Sequence, residues 1–125
     1  HKFLFEDIYP FAGLFRNENI AKDYFQFAEW EYIESELAKL LTELKNENFL
    51  SNLSKEKFAE RLAYYWAELN VLHPFREGNG RTTREFLRQL SLKNGFKFTQ
   101  SSSTRSSKRK HKINNRYFRF RKIFV

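Results

Sequence analysis

Cysteine and methionine are both absent from this 125-residue chain, and proline and glycine are scarce, at 2 and 4. Without a thiol there is no disulfide framework and no thiolate metal site, and a cysteine-free chain suits a reducing compartment, with the cytoplasm as the default. No apolar run approaches the roughly 20 residues that span a bilayer, and no basic-then-apolar leader opens the chain. It therefore reads as soluble, with no membrane partner. A chain without methionine that opens on His1 reads as an excerpt of a longer one.

Acidic residues are missing altogether beyond Glu85. Up to Phe98, 14 lysines and arginines face 15 acids, whereas residues 99–125 hold 9 basic residues and no acid. The formal charge of +8 therefore belongs to the tail, so the body does not read as a nucleic-acid binder. The tail, "TQSSSTRSSKRKHK" followed by "INNRYFRFRKIFV", reads as an arm for nucleic acid or an acidic surface, as a solvated end, or as an out-of-frame translation. Abrupt loss of every acid and of helical period favours the last two, and nucleic acid is not an expected partner.

What the chain does have is apolar and aromatic bulk: 41% hydrophobic residues, with 15 Phe, 6 Tyr and 2 Trp, enough to fill one core. One domain over residues 1–98 and an atypical tail over 99–125 follow. "HKFLFEDIYPFAG" reads as the end of a helix followed by a turn, and "FRNENIAKDYFQFAEW", where Phe25 and Phe27 alternate around Gln26, as a short hairpin. From Trp30 to Asn46, Ile33, Leu37, Leu40, Leu41 and Leu44 recur at three and four, the spacing of an amphipathic helix. A second helix, capped by Ser51 or Ser54, carries Phe58, Leu62, Tyr65, Leu69 and Leu72 on one face and stops at His73 before Pro74. A third starts near Gly80, turns Phe86, Leu87 and Leu90 inward, and ends at Asn94-Gly95. The fold class is all-α, with one small hairpin.

Between the last two helices stands "HPFREGNGR", His73 to Arg81, which places Pro74, Gly78, Asn79 and Gly80 where a helix former would not. A glycine loop running into a helix N-terminus presents free N–H groups and the positive end of the helix dipole, the ingredients of an anion site. Gly78, Asn79 and Gly80 lie at that junction, and Arg81 and Arg84 follow on one helix face, where they can clamp further phosphate oxygens. Glu77 beside an anion would repel it unless a hard cation such as Mg²⁺ lies between them. His73, neutral near pH 7, can take a proton from an attacking hydroxyl. Taken singly, each residue also has an ordinary structural use: a histidine as helix-dipole partner, glycines as caps, an arginine pair as a wetted face. Phe75 reads as structural either way, pinning the loop to the core.

The run from His73 to Arg84 resembles the complete signature of the Fic family, H-x-F-x-[DE]-G-N-G-R-x-x-R, and the similarity extends over "DIYPFAG" and the hairpin to cover His1 to Phe96. The resemblance implies a Fic-like helical bundle with a β-hairpin flap and transfer of AMP from ATP to a Ser, Thr or Tyr hydroxyl of a target protein. By position, it makes His73 the catalytic base, Glu77 the holder of Mg²⁺, and Gly78, Asn79, Gly80, Arg81 and Arg84 the phosphate ligands. Gly80 favours AMP transfer, since phosphorylating relatives carry lysine there. Ile20, Ala21, Lys22 and Phe25 fall on the flap that aligns an extended target segment by strand addition. Many members are restrained by a helix of pattern [ST]-x-x-x-E-[GN]. Here Glu18-Asn19, Glu47-Asn48 and Glu77-Gly78 are preceded by Leu14, Glu43 and His73, so none matches. The brake is expected upstream or on a small antitoxin-like partner. A rival expectation is an impaired member that only binds proteins through its flap.

Overall fold

Ser54 starts the longest helix: its hydroxyl accepts from the Lys57 N–H at 3.2 Å, satisfying one of the donors a helix leaves free at its first turn. Ser51 does not cap, because its own hydroxyl donates to the Asn48 carbonyl at 2.7 Å. The computed structural model describes residues 1–98, so every expectation about the tail at 99–125 lies outside the described residues. Four helices, α1 (Lys2–Phe5), α2 (Ile33–Asn46), α3 (Lys55–Leu72) and α4 (Asn79–Lys93), and one hairpin, β1 (Ala21–Lys22) with β2 (Phe25–Gln26), make the all-α architecture. None of the described helices is long and apolar enough to cross a membrane.

The stripe Phe58, Leu62, Tyr65, Leu69 and Leu72 is buried throughout, and Ala59, Ala63, Trp66 and Ala67 are buried beside it. With two sides covered, α3 is the central element, packed between α2 and α4. Leu40 and Leu44 enter from α2, Leu87 and Leu90 from α4, and Leu50 from the α2–α3 connection. Fully burying such a side chain is worth about 1.5–3 kcal/mol.

Three expectations need correction. Trp30–Tyr32 forms a 3-10 turn, with the Asn19 carboxamide oxygen accepting from the Trp30 N–H at 2.9 Å, and the α-helix begins only at Ile33. Leu41 is 44% exposed and Phe86 36% exposed rather than inward. Each lies one residue, about 100° of helix rotation, off its buried stripe, which runs through Leu40 and Leu44 in α2 and Leu87 and Leu90 in α4.

α4 ends as the Asn94-Gly95 pair implies. Gly95, at φ 80°, donates to the Leu92 carbonyl at 3.0 Å while the Phe96 N–H reaches the Ser91 carbonyl at 2.8 Å, the paired bonds of a Schellman stop. Phe96 then stacks on Phe58. At the other end of the chain, α1 and the turns to Gly13 lie along the loop joining α3 to α4, with the Arg16 N–H donating to the Pro74 carbonyl at 2.9 Å.

Candidate active site

His73 closes α3 in the left-handed conformation (φ 46°, ψ 63°), its N–H bonded to the Leu69 carbonyl at 2.9 Å. Pro74 forbids another helical turn, and the reversal that results swings the imidazole away from the core stripe and under the hairpin. There the ring of Phe27 stacks on it at 3.9 Å between centroids. Burial holds the imidazole below its ordinary value of 6.5, helped by the charges of Arg16 and Lys22 and opposed by Glu77. A neutral ring at pH 7 is what a proton acceptor needs. His73 Nδ1 and Thr82 Oγ1 are buried without hydrogen-bond partners among the described residues, and both fall within the motif. Buried polar atoms elsewhere in folded proteins are almost always paired.

The loop from Pro74 to Gly78 is held from two sides. Asn79 accepts from the Phe75 N–H at 2.8 Å and donates to the Phe75 carbonyl at 2.6 Å, so its side chain staples the loop and only its main chain remains for an anion. The Phe75 ring stacks on His1 at 3.8 Å and tilts against Phe15 at 5.9 Å, which pins the loop to the N-terminal segment rather than to the helical core. His1 accepts from the Gly13 N–H at its Nδ1 and donates from Nε2 to the Glu77 carbonyl at 2.8 Å.

Gly78 (φ 77°) begins α4 with no side chain capping the helix, leaving first-turn N–H groups and the positive dipole end open. On that turn Arg81 lies over the Phe5 ring at 4.7 Å, and the Arg84 guanidinium comes within 3.1 Å of where a Cβ on Gly80 would stand. Neither arginine has an ion-pair partner among the described residues. Such a turn binds oxyanions. The Glu77 side chain is exposed next to it, and no described group of three or more His, Cys, Asp or Glu residues stands ready to cage a metal. One carboxylate beside an oxyanion cradle fits Mg²⁺ arriving on phosphates, an ion that keeps its waters and takes few protein ligands.

The hairpin pairs Ala21 with Gln26 and Lys22 with Phe25 across a turn in which Asp23 and Tyr24 both have positive φ, 49° and 66°. That is the backbone twist two-residue hairpins favour. Ala21 and Lys22 are exposed, Ile20 and Phe25 half-buried, and Phe25 meets Phe27 edge-on at 5.3 Å. The structure thus sets the hairpin against His73 at one end of the α3–α4 loop, with the glycine junction at the other. Sequence reasoning missed Arg16, Phe27 and His1. For Phe27 the alternation with Phe25 was a signal, and for the other two there was none.

The family model described as the Fic/DOC family matches residues 1–91. Protein adenylyltransferase VbhT of Bartonella schoenbuchensis is 47% identical over 96 residues, 77% of this chain and 20% of that protein. The Fic protein of Salmonella typhimurium is 44% identical over 96 residues, 77% of this chain and 48% of its own length. The chain thus spans half or less of these curated relatives. Among solved structures, the BepC protein of Bartonella tribocorum with bound AMPPNP superposes at a TM-score of 0.74 and 28% identity, covering 88% of this chain and 57% of that one.

Proposed function

The chain belongs to the Fic/DOC family, and from that membership we propose that it transfers AMP from ATP to a Ser, Thr or Tyr hydroxyl of a target protein. Support comes from the adenylyltransferase name of the Bartonella schoenbuchensis relative and from the ATP analogue bound in the BepC structure. The observation that carries the reading is one of placement. A burial-depressed imidazole at the end of α3 is followed, one short loop later, by the uncapped N-terminus of α4.

His73 takes the proton of the target hydroxyl, and the freed oxygen attacks the α-phosphorus. The bond from that phosphorus to the oxygen of the leaving pyrophosphate breaks, and the proton remains on the imidazole. First-turn N–H groups of α4 receive the charge that develops on phosphate oxygens, with Arg81 and Arg84 securing the far end of the nucleotide. Glu77 would hold Mg²⁺, which when bound would supply positive charge at the phosphates. The hairpin edge at Ala21–Lys22 presents main-chain groups to an extended target segment. A glutamate-bearing helix on a partner, or elsewhere in a longer protein, restrains the reaction at Arg84, and the lack of cysteine suits cytoplasmic action.

Labelled ATP in a cell lysate tests this. His73→Ala is expected to abolish labelling while ATP affinity stays within about twofold, since the change removes the base and touches no phosphate ligand. Labelling at the wild-type rate would remove His73 from the reaction.

A further inference from the structure

Arg16 lies outside the motif, yet its guanidinium is among the most buried polar groups described, at 2% exposure. A buried arginine ordinarily faces a carboxylate. Arg16 instead faces four main-chain carbonyls: Nε donates to His73 at 2.7 Å, Nη1 to Glu18 at 2.7 Å, and Nη2 to Leu72 at 3.1 Å and to Ala28. These acceptors form two sets. Leu72 and His73 end α3, where carbonyls lack partners within the helix and carry the negative end of its dipole. Glu18 and Ala28 stand on either side of the hairpin, one before β1 and one after β2.

A hairpin whose strands are two residues each cannot hold its own place. Phe27 and the Ala28 N–H, which reaches the Val71 carbonyl at 3.0 Å, attach only its second limb to α3. The arginine fork reaches both limbs and the base's own carbonyl with one rigid plane, which the point charge of a lysine cannot do.

We infer that Arg16 is a positioning residue for the transfer reaction, fixing the target-docking hairpin in register with His73 so that a hydroxyl carried by a docked segment meets the imidazole. This rests on the proposed function, in which His73 is the base and the hairpin receives the target. A second consequence follows from charge. Arg16 and Lys22 press the imidazole toward its neutral form, Glu77 presses the other way, and burial beneath Phe27 adds to the first pair. Arg16 sustains two of these influences, its own charge and the seating of Phe27.

The test uses the full chain and three readouts: His73 titration by NMR, with His73→Ala to assign its signal among 3 histidines, amide hydrogen exchange, and transfer kinetics with ATP affinity. In Arg16→Gln the His73 midpoint should rise toward 6.5. In Arg16→Lys, which keeps the charge but not the fork, it should rise less. In both, exchange should quicken about tenfold or more at residues 19–28 and at Leu72 and His73 while α2 and the middle of α3 keep their protection. Efficiency toward the protein target should fall about tenfold or more, with ATP affinity within about twofold.

Wild-type exchange and target kinetics in Arg16→Lys would overturn the inference. So would loss of protection spread over α2, α3 and α4 in both variants, which would make Arg16 a general structural residue. If the wild type labels no protein, the proposed function fails while titration and exchange still decide whether Arg16 seats the hairpin on His73.

Discussion

Gly78 and Gly80 stand two apart, one at the N-cap of α4 and one inside its first turn, and tolerate a side chain very differently. Gly78 sits at φ 77°, and a Cβ there would lie 2.5 Å from Phe5 Cε2 and 2.7 Å from Cζ. The left-handed backbone costs a non-glycine residue about 1–2 kcal/mol, and driving an atom into the packed ring adds about 1–3 kcal/mol. At Gly80, a Cβ meets only the flexible end of Arg84, at 3.1 Å. Alanine in a helix is favoured over glycine by about 0.8–1 kcal/mol. Gly78→Ala is therefore expected to lower unfolding free energy by about 2–5 kcal/mol, and Gly80→Ala to leave it unchanged or slightly raised. Urea unfolding of the two variants checks this, and equal stabilities would contradict the close packing of Phe5 on the loop.

At the scale of elements, α2 and α3 are clasped at the end remote from His73. Arg61 donates to Glu47 from Nε at 2.6 Å and from Nη2 at 2.8 Å, and the Tyr65 hydroxyl donates to the same carboxylate. Tyr64 donates to Glu43 at 3.0 Å and lies under the Arg61 guanidinium at 4.4 Å. The clasp precedes a turn in which Asn48, Phe49 and Leu50 all take positive φ, an arrangement costing about 1–2 kcal/mol per residue. The contacts that offset this strain are the buried Leu50 side chain and the Asn94 carboxamide, which donates to the Phe49 carbonyl at 3.0 Å.

The Arg61 bonds hold the Glu47 carboxyl below its ordinary 4.5, against the opposing pull of burial. A depressed acid stabilises the fold above its unfolded value and loses that contribution as pH falls through the folded one. Glu47→Gln should cost about 1.5–3 kcal/mol at pH 7. Its deficit against the wild type should then shrink as pH drops below about 4.5, which denaturant unfolding at pH 7, 5 and 3 would read. A deficit constant across those values would mean that Glu47 acts through packing and not charge.

For the molecule as a whole, the site is an assembly of three stretches that no single element contains: the hairpin around residues 20–27, the end of α3, and the first turn of α4. Arg84 projects from the second turn of α4 and has no acid partner among the described residues. A partner helix of pattern [ST]-x-x-x-E-[GN] should supply one and compete with the distal phosphate. Added as a peptide or as a small protein, it is expected to inhibit labelling. Arg84→Ala should be less active, having lost a phosphate contact, and insensitive to the helix. Undiminished inhibition of that variant would exclude Arg84 as the contact.

Local pattern was enough for the three long helices, because a stripe at three and four is written within each helix and needs no knowledge of its neighbours. The motif was legible for a similar reason: Pro74 and Gly78 dictate the break, and the residues they separate lie within a few positions of one another. What sequence could not supply was which exposed-looking residues turn inward. Arg16 bonds His73 across 57 positions and His1 bonds Glu77 across 76, distances over which periodicity carries no information. Leu41 and Phe86 erred the other way, apolar by type but rotated off the faces that α3 covers. The Asn79 side chain, grouped by sequence with the anion ligands, is committed to Phe75. The sequence by itself determined the helices, the break between α3 and α4, and the residue types carried across it. Only the tertiary structure decided that the hairpin sits over His73, because that placement is made by the Arg16 guanidinium, the Phe27 ring and the Ala28 N–H, contacts between chain segments that become neighbours only once the chain has folded.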